Sequence, residues 1–216
     1  MSDVLKVDVW SDIACPWCYV GKRRFADGVQ QYVEAGGTRT VEVEYHSFEL
    51  APDTPVDFAG TEVDFLVDFK HMPADRVRQM LGQMTGIAAG EGLAYDFGKL
   101  QHTKTLKAHE LLHHAKGFGL QEAMKERLLR AYFVEGRHIG HIDDLADLAA
   151  EVGMHRDDVV AALTDGRHSA AVQADIEQAI AYGISGVPFY VIDGRLGVSG
   201  AQTPDVFAQA LTKADG

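Results

Sequence analysis

The sequence contains only two cysteines, at positions 15 and 18, so it lacks the second pair that a four-cysteine zinc site would need. Basic residues are also scarce: 20 lysines and arginines stand against 32 aspartates and glutamates, which gives a formal net charge of −12. This charge argues against a protein that binds nucleic acid or an anionic membrane surface. Because the sequence also has no internal repeat and no apolar run long enough to span a bilayer, it favours a globular protein.

The N-terminal stretch Met1–Lys6 has neither a basic region followed by an apolar run nor a small-residue cleavage site. It therefore predicts no secretory signal, and the cytoplasm is the expected location. Thiols are kept reduced in that compartment and structural disulfides are rare there. The two cysteines are accordingly expected to have a catalytic or redox-sensing role.

The order of the apolar patterns predicts an α/β protein whose sheet is interrupted in the sequence. A strand at Leu5–Trp10, a helix at Cys15–Ala35 and a strand at Thr40–Phe48 form a crossover unit, which should be right-handed. Helical patterns then dominate until two further strands, Pro188–Ile192 and Leu196–Ser199. The predicted helices between the two halves of the sheet are Asp64–Lys70, Ala74–Glu91, Thr103–Lys116, Leu120–Glu135, Ile142–Val152, Arg156–Leu163 and Ser169–Tyr182. We therefore predict one α/β domain, residues 1–50 and 184–216, that carries an all-helical insertion, residues 51–183.

The two cysteines lie in a CPWC motif, at the point where the first strand pattern gives way to a helical one. Cys15 is the candidate nucleophile, because a helix N-terminus favours its thiolate. Cys18 lies one helical turn further on, where it could resolve a mixed disulfide formed at Cys15. Pro16 suits the first helical position, and Trp17 either flanks the pair or simply packs.

Two other segments supply candidate residues for the same site. Asp12 either relays a proton during exchange or caps the active-site turn, and we favour the cap. Pro188 either begins a strand or forms a cis peptide bond with Val187. If that turn faces the CPWC motif, the backbone of Val187 can pair with an extended substrate.

The sequence resembles the DsbA-like thioredoxin family, specifically its FrnE branch, along nearly its whole length. The similarity lies in Asp12–Arg23, Gly186–Phe189 and Val198–Gln202, and in the middle segments Ala108–Leu112 and Ala131–Gly136. One departure is Lys104-Thr105, where many relatives have Asn before Thr or Ser. The resemblance implies a thioredoxin fold with a large all-helical insertion, dithiol–disulfide exchange at Cys15 and Cys18, and a cis-proline at Pro188.

The same superfamily includes kappa-class glutathione transferases and 2-hydroxychromene-2-carboxylate isomerases, which carry serine at the position of Cys15. Two cysteines favour the redox function, and a glutathione- or other thiol-dependent isomerase or transferase is the alternative. A binding module that only senses redox state is a third possibility. The expected partners are protein thiols and disulfides or small thiols, with no nucleic acid and no membrane, and the protein is a monomer or a homodimer. No cofactor is expected, although glutathione or another small thiol is a possible co-substrate.

Two sets of histidines have a spacing that is also found in metal sites. His109-Glu110-Leu111-Leu112-His113 matches the HExxH pattern of zinc peptidases, but the further glycine and histidine of metzincins are missing, and we interpret it as ordinary helix. His138 and His141 have a spacing that could bind a metal, and we interpret them as surface loop histidines. The sequence therefore predicts no metal site.

Overall fold

The computed structural model describes residues 3–216, and its elements follow the predicted order. The strands are β1 (Val4–Ser11), β2 (Thr40–Ser47), β3 (Phe189–Ile192) and β4 (Leu196–Ser199). The helices are α1 (Pro16–Glu34), α2 (Glu62–Lys70), α3 (Ala74–Gly90), α4 (Leu106–Lys116), α5 (Gln121–Arg130), α6 (Ile142–Glu151), α7 (Arg156–Thr164), α8 (Ser169–Ala181) and α9 (Pro204–Asp215).

The four strands form one mixed sheet in the order β2-β1-β3-β4. β1 and β2 are parallel and joined through α1, whereas β3 is antiparallel to both β1 and β4. The register places Trp10 beside His46 on one side and Phe189 on the other. The first and last parts of the chain therefore meet in the centre of the sheet, at the end of β1 that leads to the CPWC motif.

Alternating residues of β1 face opposite sides of the sheet, and both sides are packed. On one side, Leu5, Val7 and Val9 join a core with Phe25 of α1 and Phe207 of α9. On the other side, Trp10 packs with Ala179 of α8 and with Ile184. This two-sided packing explains why β1 is buried along most of its length.

The chain divides into two compact units, one of Met1–Leu50 with Val172–Gly216 and one of Ala51–Ala171. The first unit contains all four strands of the described sheet, and the elements of the second are helical. The second boundary between the units, after Ala171, lies inside α8. The domain boundary predicted from the sequence lies instead between residues 183 and 184. The assignment of residues 51–183 as an insertion stays a prediction.

Two helix predictions need correction. The predicted helix Thr103–Lys116 begins only at Leu106, because the backbone before it runs to the loop near residue 55, where the Lys104 amide donates to the Pro55 carbonyl. The predicted helix Leu120–Glu135 changes to a π-helical turn at Ala131–Glu135. Gly136 ends this turn in the left-handed conformation, at φ 66°. None of the described helices combines the length and the apolar character that a membrane span requires.

Candidate active site

The two cysteines lie at the N-terminus of α1. Cys15 is the N-cap residue, Pro16 occupies the first helical position, and the amide of Cys18 donates to the Cys15 carbonyl at 3.0 Å. The thiols of Cys15 and Cys18 are hydrogen-bonded to each other, and both are unoxidised. Both residues are buried, since Cys15 is 4% and Cys18 is 3% exposed.

The segment before β3 provides the other side of this site. The Cys15 Sγ donates to the carbonyl oxygen of Val187 at 3.4 Å. The peptide bond between Val187 and Pro188 is cis. Val187 is half-buried and Pro188 is buried, whereas Trp17 is 41% exposed. The structure therefore brings Cys15, Cys18 and Val187 together, and it leaves the Trp17 ring on the surface near them.

Asp12 supports the turn that leads into the motif. Its carboxylate accepts hydrogen bonds from the amide of Ala14 at 3.4 Å and from the amide of Leu50 at 2.8 Å. The residue is 1% exposed. Because both oxygens of this buried carboxylate accept from backbone amides, the geometry fits the cap that the sequence favours.

The electrostatics of Cys15 differ from what the sequence predicts. The pKa of Cys15 is raised well above its ordinary value, because its thiol is hydrogen-bonded to Cys18 and because the site is buried. The negative charge of Asp12 acts in the same direction. The expectation of a favoured thiolate was therefore wrong for this arrangement of the site: the stabilisation available at the helix N-terminus is smaller than the combined cost of burial and of the neighbouring thiol.

Gly21 allows α1 to approach β3 below the cysteines. A Cβ atom at this position would lie 2.8 Å from the hydroxyl oxygen of Tyr190 and 3.0 Å from Cγ of Pro188. Gly21 follows Cys18 by three residues and so lies on the same side of the helix. The Tyr190 side chain is almost wholly buried, and this burial raises the pKa of its phenol well above the ordinary value. Gly21 thus lets the cysteine-bearing face of α1 lie directly against Tyr190 and Pro188.

One polar cluster in this unit has no counterpart in the sequence motifs. The two ring nitrogens of His46 lie 2.8 Å from Asp175 Oδ1 and 2.9 Å from Asp8 Oδ1. The ring of His46 also stacks on Trp10 at 4.6 Å between centroids. Burial lowers the pKa of His46, but the bonds to Asp175 and Asp8 outweigh it and raise the pKa to about 9. Sequence patterns do not reveal the cluster, because its carboxylates come from β1 and α8.

The HExxH pattern does not form a metal site in the structure. His109 and Glu110 are fully buried in α4, and the Glu110 carboxylate accepts from Lys107 Nζ at 3.0 Å and from the Ser169 hydroxyl at 3.0 Å. Among residues 3–216, the groups of side chains placed to share a metal ion do not include either residue. The segment is thus part of the helix α4, and the absence of a metal at it stays a prediction.

Residues 6–212 match the family described as the DSBA-like thioredoxin domain. The match covers most of the chain, so the chain belongs to this family. The predicted fold and the resemblance to the DsbA-like thioredoxin family are both confirmed. The family consists of disulfide oxidoreductases, which makes this protein an enzyme of that broad class.

Individual relatives support the same assignment. A probable DsbA oxidoreductase from Streptomyces coelicolor is 38% identical and has a TM-score of 0.90, with 97% of this chain and 89% of that chain covered. The uncharacterized protein YwbO from Bacillus subtilis (strain 168) is 28% identical over 210 residues, 95% of each chain. The cytosolic disulfide reductase DsbM from Pseudomonas aeruginosa, in a structure with GSH, is 20% identical and has a TM-score of 0.66, with 96% of this chain and 98% of that chain covered. The likeness to DsbM shows the fold alone.

Proposed function

We propose that the protein is a thiol–disulfide oxidoreductase that exchanges disulfides with protein or small-thiol substrates through Cys15 and Cys18. The observation that carries this proposal is the contact between the two thiols at the start of α1, next to the carbonyl group of Val187. Two thiols in contact can pass between dithiol and disulfide forms without a rearrangement of the backbone. We assign FrnE-type membership within the family as part of the same proposal.

The reaction takes place in two exchanges. The Cys15 thiolate attacks one sulfur of the substrate disulfide, so that a mixed disulfide forms and the other substrate sulfur leaves as a thiolate. The Cys18 thiolate then attacks Cys15 Sγ, which forms the Cys15–Cys18 disulfide and releases the second substrate thiolate. The enzyme loses two electrons and the substrate gains them. Two equivalents of a small thiol such as glutathione would return the enzyme to its dithiol form and leave as the oxidised disulfide.

The raised pKa of Cys15 favours the reducing direction of this reaction. A strongly oxidising enzyme such as DsbA owes its potential, about −120 mV, to a stabilised reduced form with a thiolate at neutral pH. The pair described here lacks that stabilisation, because burial and Cys18 raise the pKa of Cys15. We therefore propose that the pair is a weaker oxidant than DsbA.

Access to Cys15 requires a local opening. Cys15 is 4% exposed, and its thiol donates a hydrogen bond to the Val187 carbonyl. A substrate sulfur must therefore displace this hydrogen bond before the substrate reacts with Cys15. The freed Val187 carbonyl and the half-buried backbone around it would then be able to pair with an extended substrate segment. We propose that Trp17, which is already exposed, contacts the substrate on the other side.

We further propose that the enzyme works in the reducing cytoplasm and uses no bound cofactor. Glutathione is the small-thiol co-substrate that we favour, because a structure of the cytosolic disulfide reductase DsbM, which has the same fold, is described with GSH. We keep both a monomer and a homodimer as candidate states, and we propose no nucleic-acid or membrane partner.

The test is reduction of a model protein disulfide, such as that of insulin, with glutathione as the electron source. We expect turnover with the parent protein and none above background with Cys15→Ser. The Cys18→Ser variant should accumulate mixed disulfides with its substrates, and the Cys15→Ser/Cys18→Ser double variant is the matched control for trapping. Equal turnover by the parent and Cys15→Ser would refute the proposal.

The alternative is a thiol-dependent isomerase or transferase of the 2-hydroxychromene-2-carboxylate isomerase type. Such an enzyme would use an added small thiol and would keep its activity without Cys18. Activity of Cys18→Ser that depends strictly on glutathione, together with no disulfide reduction by the parent, would favour this alternative.

A further inference from the structure

Two groups of side chains in residues 3–216 place three nitrogen or oxygen ligand atoms close enough to share a metal ion. The first group is Asp8, Glu44 and His46. It is already occupied by protein cations, because Lys6 Nζ lies 3.2 Å from Asp8 and 3.4 Å from Glu44. A metal ion would have to displace this lysine, so the first group is the weaker candidate. The second group is Asp57, His138 and His141, which lie in the unit Ala51–Ala171.

We propose that Asp57, His138 and His141 form a binding site for one divalent transition-metal ion, with Zn²⁺ as the ion to test. Two imidazoles and a carboxylate form a donor set that Zn²⁺ accepts in three-ligand sites, and a fourth position then stays open. Calcium and magnesium favour oxygen donors and match this set less well. This inference does not rest on the proposed redox function, because it uses none of the residues of the cysteine site.

The ligand atoms are close to the spacing that a metal requires. All three lie within 4.8 Å of one another, and His141 Nε2 and Asp57 Oδ1 are 2.8 Å apart. In a tetrahedral zinc site, bonds of about 2.0–2.2 Å separate neighbouring ligand atoms by roughly 3.4 Å. An ion would thus replace the proton between His141 and Asp57, and the two side chains would separate by a few tenths of an ångström. Both residues are exposed, so this adjustment does not disturb a core.

His138 is held in place by the contacts typical of a metal-ligating histidine. Its Nε2 lies 3.2 Å from the carbonyl oxygen of Val56, and its Nδ1 accepts from the amide of Gly140 at 3.1 Å. This pattern assigns the ring proton to Nε2 and leaves the lone pair on Nδ1. A metal ion at Nδ1 would replace the Gly140 amide, while the bond to Val56 would fix the ring from the outer side. The rings of His138 and His141 are stacked, with 3.9 Å between centroids, so one ring must turn for both in-plane lone pairs to reach the same ion.

The surroundings leave room for a fourth ligand. Asp144 Oδ2 lies 3.3 Å from His141 Nδ1, so a further carboxylate is beside the group. A cavity of about 330 Å³ adjoins it and is lined by Gln101, Gly136, Arg137, His138, His141 and Asp144. A water molecule or a small anionic ligand in this cavity could complete the coordination of the ion.

The test measures binding of Zn²⁺ to full-length, tag-free protein. The Cys15→Ser/Cys18→Ser background removes the two thiols, which would otherwise compete for Zn²⁺. Calorimetric titration and competition with a chromophoric chelator should give one equivalent of Zn²⁺ per chain. Bound Co²⁺ should absorb visible light more strongly than aqueous six-coordinate Co²⁺, as expected for a site with four or five ligands.

Asp57→Asn and His141→Gln are the decisive variants, because both residues are exposed and their replacement leaves the core intact. Each should weaken Zn²⁺ binding at least tenfold, since even outer-shell changes cost about 10–100-fold at metal sites. The matched controls are Asp53→Asn and His155→Gln, two exposed residues of the same unit that lie outside the group. Either the absence of saturable one-to-one binding, or equal affinity of the decisive and control variants, would overturn the proposal.

Discussion

Each of the two units contains one short sequence motif, CPWC in the first and HExxH in the second, and the two motifs lie in opposite surroundings. In the unit that holds the sheet, the CPWC motif lies at a helix N-terminus, and its two thiols meet each other and the Val187 carbonyl. In the unit Ala51–Ala171, the HExxH match lies inside α4, where Glu110 is fully buried and bonded to Lys107. Both are four- or five-residue patterns that are typical of a particular kind of catalysis. A motif therefore gains its function from its position within a helix or strand.

The same comparison explains which histidines could bind a metal. His109 and His113 have the spacing of zinc ligands, yet the second unit offers its ligand atoms instead at His138 and His141, near a helix start. These two histidines are joined by Asp57, which is about 80 residues away in the sequence and invisible to any short pattern. His138 and His141 lie at the surface outside the packed helices, where their present hydrogen-bond partners can be exchanged for a ligand, whereas His109 is fully buried inside α4.

Substitution of one residue in each motif tests whether only the CPWC motif takes part in catalysis. Cys15→Ser should reduce disulfide turnover to background, because the attacking sulfur is lost. His113→Gln, at a half-buried position of the HExxH match, should leave that turnover unchanged. The measurement is the rate of insulin reduction by glutathione at equal enzyme concentration. Loss of turnover in His113→Gln would show that the second motif takes part in the chemistry.

The raised pKa of Cys15 makes a second prediction about the CPWC site. Below this pKa, the thiolate fraction rises tenfold with each pH unit, so alkylation of the reduced protein should be about 100-fold faster at pH 9 than at pH 7. The thiolate fraction can be measured by its stopped-flow absorbance, and the alkylation rate by mass spectrometry after quenching. A rate that levels off below pH 7 would mean that the thiolate is stabilised as the motif by itself suggests. Cys18→Ser is the informative variant, because removal of the neighbouring thiol should lower the pKa of Cys15.

Glu110 tests the claim that the HExxH segment serves stability. Glu110→Ala removes the carboxylate that pairs with Lys107 and accepts from Ser169, and it leaves a cavity in α4. Breaking a fully buried pair costs about 3–5 kcal/mol, and we expect about 3 kcal/mol here because Lys107 is 28% exposed. Chemical denaturation measures the change, with the exposed Asp68→Ala as control. A loss of less than about 1 kcal/mol would contradict a structural role.

His46 gives a pH-dependent test in the first unit. Its pKa in the folded protein is about 9, compared with an ordinary 6.5. The group therefore adds stability that is fully present below pH 6.5 and is lost as the pH rises through 9. The shift corresponds to about 3 kcal/mol at most. The free energy of unfolding of the parent and of His46→Gln should differ most near pH 6 and converge near pH 10, with His155→Gln as control. A difference that is constant with pH would show that His46 stabilises by packing alone.

Gly21→Ala should produce the smallest loss of stability among these variants, and it tests how tightly the cysteine site is packed. The added methyl group would lie 2.8 Å from the Tyr190 hydroxyl and 3.0 Å from Pro188 Cγ, so α1 or β3 must shift slightly. We expect a loss of about 1–2 kcal/mol in stability and a larger proportional loss of turnover, because Pro188 adjoins the Val187 carbonyl. Gly82→Ala, a helical glycine of the second unit with no atom near its added Cβ, is the control. Unchanged turnover in Gly21→Ala would show that the site tolerates movement of β3.

Much of the fold could be predicted from periodicity, because the strands alternate and the helices repeat over several turns. The strands β1, β2 and β4 and the helix α1 lie within one or two residues of their predicted bounds. The misplaced elements, α4 and the π-helical turn after α5, are those whose ends depend on backbone hydrogen bonds to distant segments. Such bonds leave no periodic signal in the local sequence.

From the amino-acid sequence alone we could infer the position of the two cysteines before a helix, the proline before β3, and the family of the chain. These are local properties, since a CPWC motif and a strand pattern need only neighbouring residues. Three other features arise only in the folded protein: the raised pKa of Cys15, the ion pairs of His46, and the proximity of Asp57 to His138 and His141. Each of these depends on how much water is excluded and which charges come within a few ångströms, and folding sets both by joining segments that the sequence keeps far apart.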